Sequence, residues 1–465
     1  MTEHQEQVLE AIRKYGCALV HASEELRADR EFVLEAVAKN GDSLQHASGE
    51  LQADEEIALA AIKQRKSALS YVSESLKANR DFILKVVGAR GGLLGRVPSK
   101  FKADREVVLA AINRNQSALQ HASDDLKADR EFVLSAIAMS HESLKHALGD
   151  LKSDREFVLR AIEEHGGYVL EYASNDLKAD REFVLGIVKK HGGALEYVSD
   201  ELKADREVVL AAVEDNCEAL EYASDVFKGD EEIVRLAIEQ NGGSIEYASD
   251  ELKRNRNLVL DAVKVDGIAL EYVFDKFGGD REVVFAAVTN EGLALQYASE
   301  ELYGDKELVM AAVTNEGLAL EFASGELCAD SEVVLEAVKR DGLALQFASD
   351  ELKDDREVVL AAVRQNGFAL QFASDELKDD REVVLAAVRQ NGFALQFASE
   401  EMKDDNKIVL AAVDQNRGAL EYASKELRGK LRDKLRDKLR DKLRDEPRKT
   451  LSGGGKRLKV GWAED

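Results

Sequence analysis

Apolar residues recur along this chain with two nested periods. Within short windows they mark helix faces, and the whole pattern then returns about every 25 residues, roughly 17 times. The copy Ala103–Lys127, ADREVVLAAINRNQSALQHASDDLK, serves as a frame, with Ala103 as position 1. Val108, Leu109 and Ile112 fall within one arc of a helix at 100° per residue, and small Ala111 on its flank lets a neighbour approach. Asp104 precedes this run and can accept the free amides of the first turn, while Glu106 places negative charge near the positive end of the helix dipole. Position 14 is Gly in most copies, among them Gly16, Gly41, Gly242, Gly267 and Gly367. The expected role of that glycine is to end the helix in the left-handed conformation, less cleanly where Lys66, Gln116, His141, Cys217 or Arg417 stands instead. A second apolar segment follows, with Ala118, Leu119, Ala122 and Leu126 on one arc, and only Ile245 replaces Leu at position 17. Ser123 followed by two acids reads as an N-cap, so this segment is either one bent helix or a short helix plus a 3₁₀ turn. Pro98 takes the place of that Ser in Ala78–Lys102, where a first-turn proline costs little.

Fixed-period self-similarity on this scale predicts an all-α solenoid of about 17 helical-hairpin units, each packing on its neighbours. The few apolar side chains of one copy cannot offset the entropy of ordering some 25 residues, so a copy is not expected to fold alone. Three regions are expected: the repeat array over 3–428 as one elongated body, a charged KLRD-repeat helix over 429–446, and a disordered basic tail over 447–465. Arg235, in the seat of Leu109, and the 26-residue copy Ser153–Lys178, with its insertion near Gly166 and Gly167, are the expected irregular points.

The recurring DRExVLxAVxxNGxALxYASxELK resembles the repeat of the domain of unknown function 4116, from Glu3 to about Arg428, more than 90% of the chain. It is similar, more loosely, to leucine-rich-variant arrays, which alternate an α-helix with a 3₁₀ turn. The resemblance implies an all-helical array and carries no assigned activity, so no catalytic residue follows from it.

Charge narrows the classes of function. The net charge of −26 includes a tail of about +6 beyond Gly429, which leaves the array near −32. A body that acidic repels phosphate backbones, so no nucleic acid is expected along it. No apolar run is long enough to span a membrane. MTEHQEQVLEAIRKYG reads as the first copy and lacks a secretory pattern; the three cysteines, Cys17, Cys217 and Cys328, sit out of register. Both features point to a cytoplasmic protein with incidental thiols. KRLK at Lys456–Lys459 is a weak nuclear-import motif.

Position 19 forms an aromatic column: Tyr71, Tyr172, Tyr197, Tyr222, Tyr247, Tyr272, Tyr297, Phe322, Phe347, Phe372, Phe397 and Tyr422. On an α-helical wheel it lies at the edge of the apolar arc. It reads either as core-flanking packing or as an interaction stripe along one face. His21, His46, His121, His146 and once Arg96 occupy the same position. Repeat spacing holds successive histidines ~8–10 Å apart, too far to share one zinc ion, so no metal is expected. The triplets Asp29-Arg30-Glu31, Asp104-Arg105-Glu106, Asp205-Arg206-Glu207 and Asp380-Arg381-Glu382 sit at helix starts, where capping explains them without acid–base chemistry. No P-loop, HExxH, GxSxG or paired CxxC motif occurs, and no cofactor is implied.

The expected function is a non-enzymatic scaffold that binds partner proteins through an extended face. The chain specifies no particular partner and no oligomeric state. One alternative is a neutrally expanded repeat without a selected binding role, suggested by the near-identical copies beginning at Asp354 and Asp379. The other is an enzyme with a pocket at an irregular copy such as Ala78–Lys102.

Overall fold

Each copy folds into three pieces in the structure, a computed structural model that describes residues 9–11 and 16–432. In the copy beginning at Asp379 these are an α-helix over Arg381–Gln390, a 3₁₀ helix over Gly392–Phe397 and a short α-helix over Glu400–Asp404. The six-residue 3₁₀ element recurs seventeen times, from Gly16–His21 to Arg417–Tyr422, and no strand occurs among the described residues. The chain is an all-α tandem-repeat solenoid, and it divides into two compact units, Met1–Lys253 and Arg254–Asp465.

The long helix begins as expected. Asp380 Oδ1 accepts from the amides of Glu382 and Val383, both at 2.9 Å, and the equivalent Asp or Asn caps helix after helix. Its buried face is rotated relative to the expectation. Val107, Val108, Ala111 and Ile112 are buried, whereas Leu109 is only half-buried. The core stripe therefore runs through positions 5, 6, 9 and 10. Position 7 lies at its rim, which explains why Arg235 is accommodated there, paired with Glu231 at 2.9 Å.

Position 14 is not a left-handed helix stop. Among the described residues only Gly149 and Gly166 have positive φ. The residue at position 13 ends the helix instead: Asn366, Asn391 and Asn416 are extended, with φ near −145°, and each turns its side-chain oxygen onto the amide two residues ahead. Asn or Asp at position 13 thus caps the 3₁₀ helix. The glycine is needed for a different reason. A Cβ on Gly367 would stand 2.5 Å from the carbonyl oxygen of Ala387, in the next copy, and a Cβ on Gly41, Gly91, Gly192 or Gly317 would stand closer still to the matching alanine. The backbones of successive copies touch at this seat.

The second segment does break at Ser, but in reverse order: the 3₁₀ helix comes first and the Ser-capped turn is α-helical, as with Ser374 Oγ accepting from Leu377 N at 3.2 Å. With three residues per turn the 3₁₀ element sorts its side chains into three columns. Position 17 and the following Ala at position 20 enter the core, position 16 lies beside them, and positions 15 and 18 face outward. The Ser amide also donates to the carbonyl of the last residue of the preceding copy: Ser374 to Lys353 at 2.9 Å, Ser399 to Lys378 and Ser424 to Lys403 at 3.0 Å. Pro98 stands at this cap position, not inside the first turn; it has no amide to donate and no side chain to cap with. The 26-residue copy absorbs its extra residue in an eleven-residue helix, Arg155–His165, closed by Gly166 at φ 103°.

No helix among the described residues is long and apolar enough to cross a membrane. After Ser424 the chain is helical over 425–432, with Leu431 buried. The rest of the expected KLRD helix and all of 447–465 lie outside the described residues, as does the side chain of Cys17.

Candidate interaction face

The ends of the long helices and the 3₁₀ elements together build one repeating face, and its polar groups are joined from copy to copy. Position 12 supplies the joint. Gly342 N–H donates to Gln365 Oε1 at 2.6 Å, and Gln365 Nε2 donates to the Arg340 carbonyl at 3.1 Å. Gln390 repeats both bonds on Gly367 and Gln365, and Gln415 repeats them on Gly392 and Gln390. One amide thus satisfies a helix-end carbonyl and the adjacent glycine N–H of its neighbour. Gln64 and Asn290 do the same elsewhere in the chain. The amide at position 12 was not singled out from the sequence, although its recurrence in RQNG, EQNG and TNEG was the available signal.

Between these amides lies an open groove of about 600 Å³, lined by Gln365, Gln390 and Gln415, by Asn366, Asn391 and Asn416, and by Phe368 and Phe393. It belongs to the regular copies of the second unit, not to Ala78–Lys102.

The aromatic column borders this face. Each of its twelve residues closes a 3₁₀ helix, and at 120° per residue it falls beneath the buried position 16, at the core's edge. Tyr71, Tyr172, Tyr197, Tyr222, Tyr247, Tyr272, Tyr297, Phe322, Phe347, Phe372 and Phe397 are all half-buried, and Tyr422 is exposed. The rings meet the preceding copy diagonally: Phe397 packs edge-on against Phe368, and Tyr422 against Phe393, both with centroids 6.1 Å apart. Tyr297 donates its hydroxyl to Glu271 at 2.9 Å. Burial, and then that carboxylate, push the Tyr297 hydroxyl up to about 12; Tyr172 is raised likewise beside Glu171. Of the histidines sharing the column, His46, His121 and His146 are held below the usual imidazole value, chiefly by burial. Among the described residues no three His, Cys, Asp or Glu side chains gather in a way that could hold a metal ion.

The carboxylates at the helix starts do more than cap: they also receive the position-3 arginine of the preceding copy. Arg256 reaches into the next copy, with Nε 2.6 Å from Asp280 Oδ2, Nη2 2.9 Å from Oδ1 and 2.7 Å from Glu282. Arg80 on Asp104 and Glu106, and Arg281 on Asp305 and Glu307, repeat the fork. The guanidinium and the capped amides hold Asp104, Asp280 and Asp305 below the ordinary carboxylate range. These arginines are about half exposed, so solvent screens each pair and it adds little to stability. Glu55 occupies the arginine's seat in one copy, and the next cap is then Asn79 instead of Asp. The same two replacements recur as Glu231 and Asn255.

A stacked all-α repeat with a face rebuilt in copy after copy defines the class: a tandem-repeat solenoid. Ten matches to a family model described as Domain of unknown function (DUF4116) run over residues 4–52, 29–77, 54–88, 79–127, 129–178, 180–228, 230–278, 280–328, 330–378 and 380–428. The chain belongs to this family. No curated protein matches it.

Proposed function

We propose that this chain is a non-enzymatic scaffold that holds an extended segment of a partner protein along the face made by positions 12, 13, 15 and 19. The observation that carries the reading is the groove over Gln365–Asn416, in which one set of amides and phenyl edges is offered again in each copy. Half-buried rings are good anchors because their apolar area is already rigid, and amides can answer the backbone of an extended peptide. Several weak contacts in series would then add up to useful affinity. No residue is assigned a catalytic role. The free thiols of Cys217 and Cys328 suit a reducing compartment such as the cytoplasm.

Selection of a random peptide library against the full chain tests the reading. Peptides should be enriched that compete with one another and lose binding to F368A/F393A; no enrichment would overturn it. The near identity of the copies from Asp354 and Asp379 favours a second reading, recent expansion without a selected binding role, and that reading expects no enrichment.

A further inference from the structure

One stretch of the array departs from the rest in a single direction. Residues 61–115 carry twelve Lys/Arg against four Asp/Glu, inside an array whose net charge is near −32. Between Phe82 and Ala103 there are five cations and no carboxylate. The interior of this copy is intact: Phe82, Ile83, Val87, Leu94, Val97 and Phe101 are all buried. Only the outside has changed, and it has changed at structural cost. Arg65 and Arg90 replace the position-13 cap and leave their 3₁₀ helices without a side-chain cap bond. Ala89 replaces the position-12 amide, Arg96 the column aromatic and Pro98 the capping Ser. The side-chain caps lost at positions 13 and 21 are not restored, and such departures from the repeat's own rule mark a place where the exposed residues serve something else.

These positions coincide with the face that forms the groove in the second unit. Positions 12 and 13 line that groove, and position 19 packs against position 15 of the preceding copy. Arg114 at position 12, Arg90 at position 13 and Arg96 at position 19 therefore share one side, with Lys66 at the adjoining position 14 of the copy before, and all four are exposed. Arg90 donates to the Lys63 carbonyl and Arg114 Nε to the Gly88 carbonyl at 2.9 Å, which orients the guanidinium groups without neutralising them. The nearby ion pairs use other cations: Arg65 with Asp42, Arg80 with Asp104 and Glu106, and Lys85 with Glu55. Gly92 is exposed and Gly88 has no neighbour within reach of a Cβ, so the surface between the cations is low and open.

We propose that Lys66, Arg90, Arg96 and Arg114 bind a short Asp/Glu-rich segment of a partner protein. Guanidinium forks match carboxylates in pairs. The patch covers about three copies, ~25–30 Å, which about nine extended residues span. A nucleic acid strand fits less well, because a longer polyanion would run onto acidic copies on either side, and because Arg96 stands where a stacking ring would be wanted. The proposal rests on the scaffold reading only in assigning both activities to one face.

The test is fluorescence anisotropy on the full chain with a labelled Glu-rich peptide of about ten residues, beside a single-stranded oligonucleotide of matched charge. Saturable peptide binding is expected, weakening as salt rises from about 50 to about 200 mM. It should fall about tenfold or more in R90E/R96E/R114E with circular dichroism unchanged, and persist in F368A/F393A. R90Q/R96Q/R114Q provides the same comparison if the charge reversal disturbs folding. Tighter binding of the oligonucleotide, no saturable peptide binding, or wild-type affinity in the arginine variants would overturn the proposal. None of these results bears on the library selection and its Phe368 and Phe393 variant, so the two readings fail separately.

Discussion

The copies between Arg254 and Tyr422 and those between Glu55 and Tyr222 use the same interior but treat the backbone contact at position 14 differently. In the second unit, Gly267, Gly292, Gly317, Gly342, Gly367 and Gly392 all sit against the alanine carbonyl of the following copy. In the first unit Lys66, Gln116, His141 and Cys217 fill that seat, and the long helices flanking them pack less closely than those flanking Gly41, Gly91 or Gly192. A Cβ in this seat goes with a looser approach of two copies, and the insertion beside Gly167 loosens a glycine joint as well. The regular region is built for uniform joints, while the earlier region accepts looser ones and carries the outward-facing substitutions.

Filling the glycine seat should produce the largest change. Gly367→Ala brings a Cβ onto backbone, which has no flexible end to move aside, and should destabilise the chain by about 2–3 kcal/mol. Urea unfolding would show the loss, and hydrogen exchange should localise it to residues 354–403. Gly88→Ala is the control: it lies inside the helix Arg80–Ala89 with nothing near its Cβ, so it should be neutral or stabilise by up to about 1 kcal/mol.

Removing the amide clamp comes next. Gln390→Ala loses the bonds to Gly367 N–H and the Gln365 carbonyl and should cost about 1–2 kcal/mol, with faster exchange at the Gly367 amide. A smaller gain is expected from Pro98→Ser in the looser region. Restoring a cap and an inter-copy donor should stabilise by about 1 kcal/mol, read as a higher urea midpoint.

The smallest effect is in acid. The carboxyls of Asp280 and Asp305 are depressed in the folded chain, so their contribution is complete above the unfolded value near about 4 and disappears as pH falls through the folded value. Asn79 does not titrate. Hydrogen exchange followed downward from neutral pH should therefore show weaker caps at Asp280 and Asp305 while the Asn79 cap on the Asp81 and Phe82 amides is kept.

Much of each copy was legible from sequence. Asp104 as a cap, the break at Ser123 and the burial of Ala118, Leu119, Ala122 and Leu126 all follow from local patterns, and local patterns lie within one copy. Gly367, Gln390 and Arg256 were misread or overlooked for a shared reason. Each acts on a residue of an adjacent copy, some 20–25 positions away. In a strict repeat the adjacent copy carries the same letters as the copy itself, so a contact across the joint has no distinct sequence pattern. Glu55 with Asn79 was the exception that could have revealed the register, because there both partners change together. The column from Tyr71 to Tyr422 was legible as a core edge, but its diagonal contact with Phe368 and Phe393 required the 3₁₀ geometry.

The bond from each Ser amide to the last carbonyl of the preceding copy makes every regular unit a tile with matching edges. Its leading edge offers a donor and its trailing edge an acceptor, and both are written into the same 25 residues. A duplicated block inserted in frame would find both edges already matched, without any new interface having to arise. Growth by whole units is thus a nearly costless change for this fold, whereas growth by part of a unit would leave a donor, an acceptor and a glycine seat out of step. Two adjacent near-identical copies, such as those beginning at Asp354 and Asp379, are what such growth would produce.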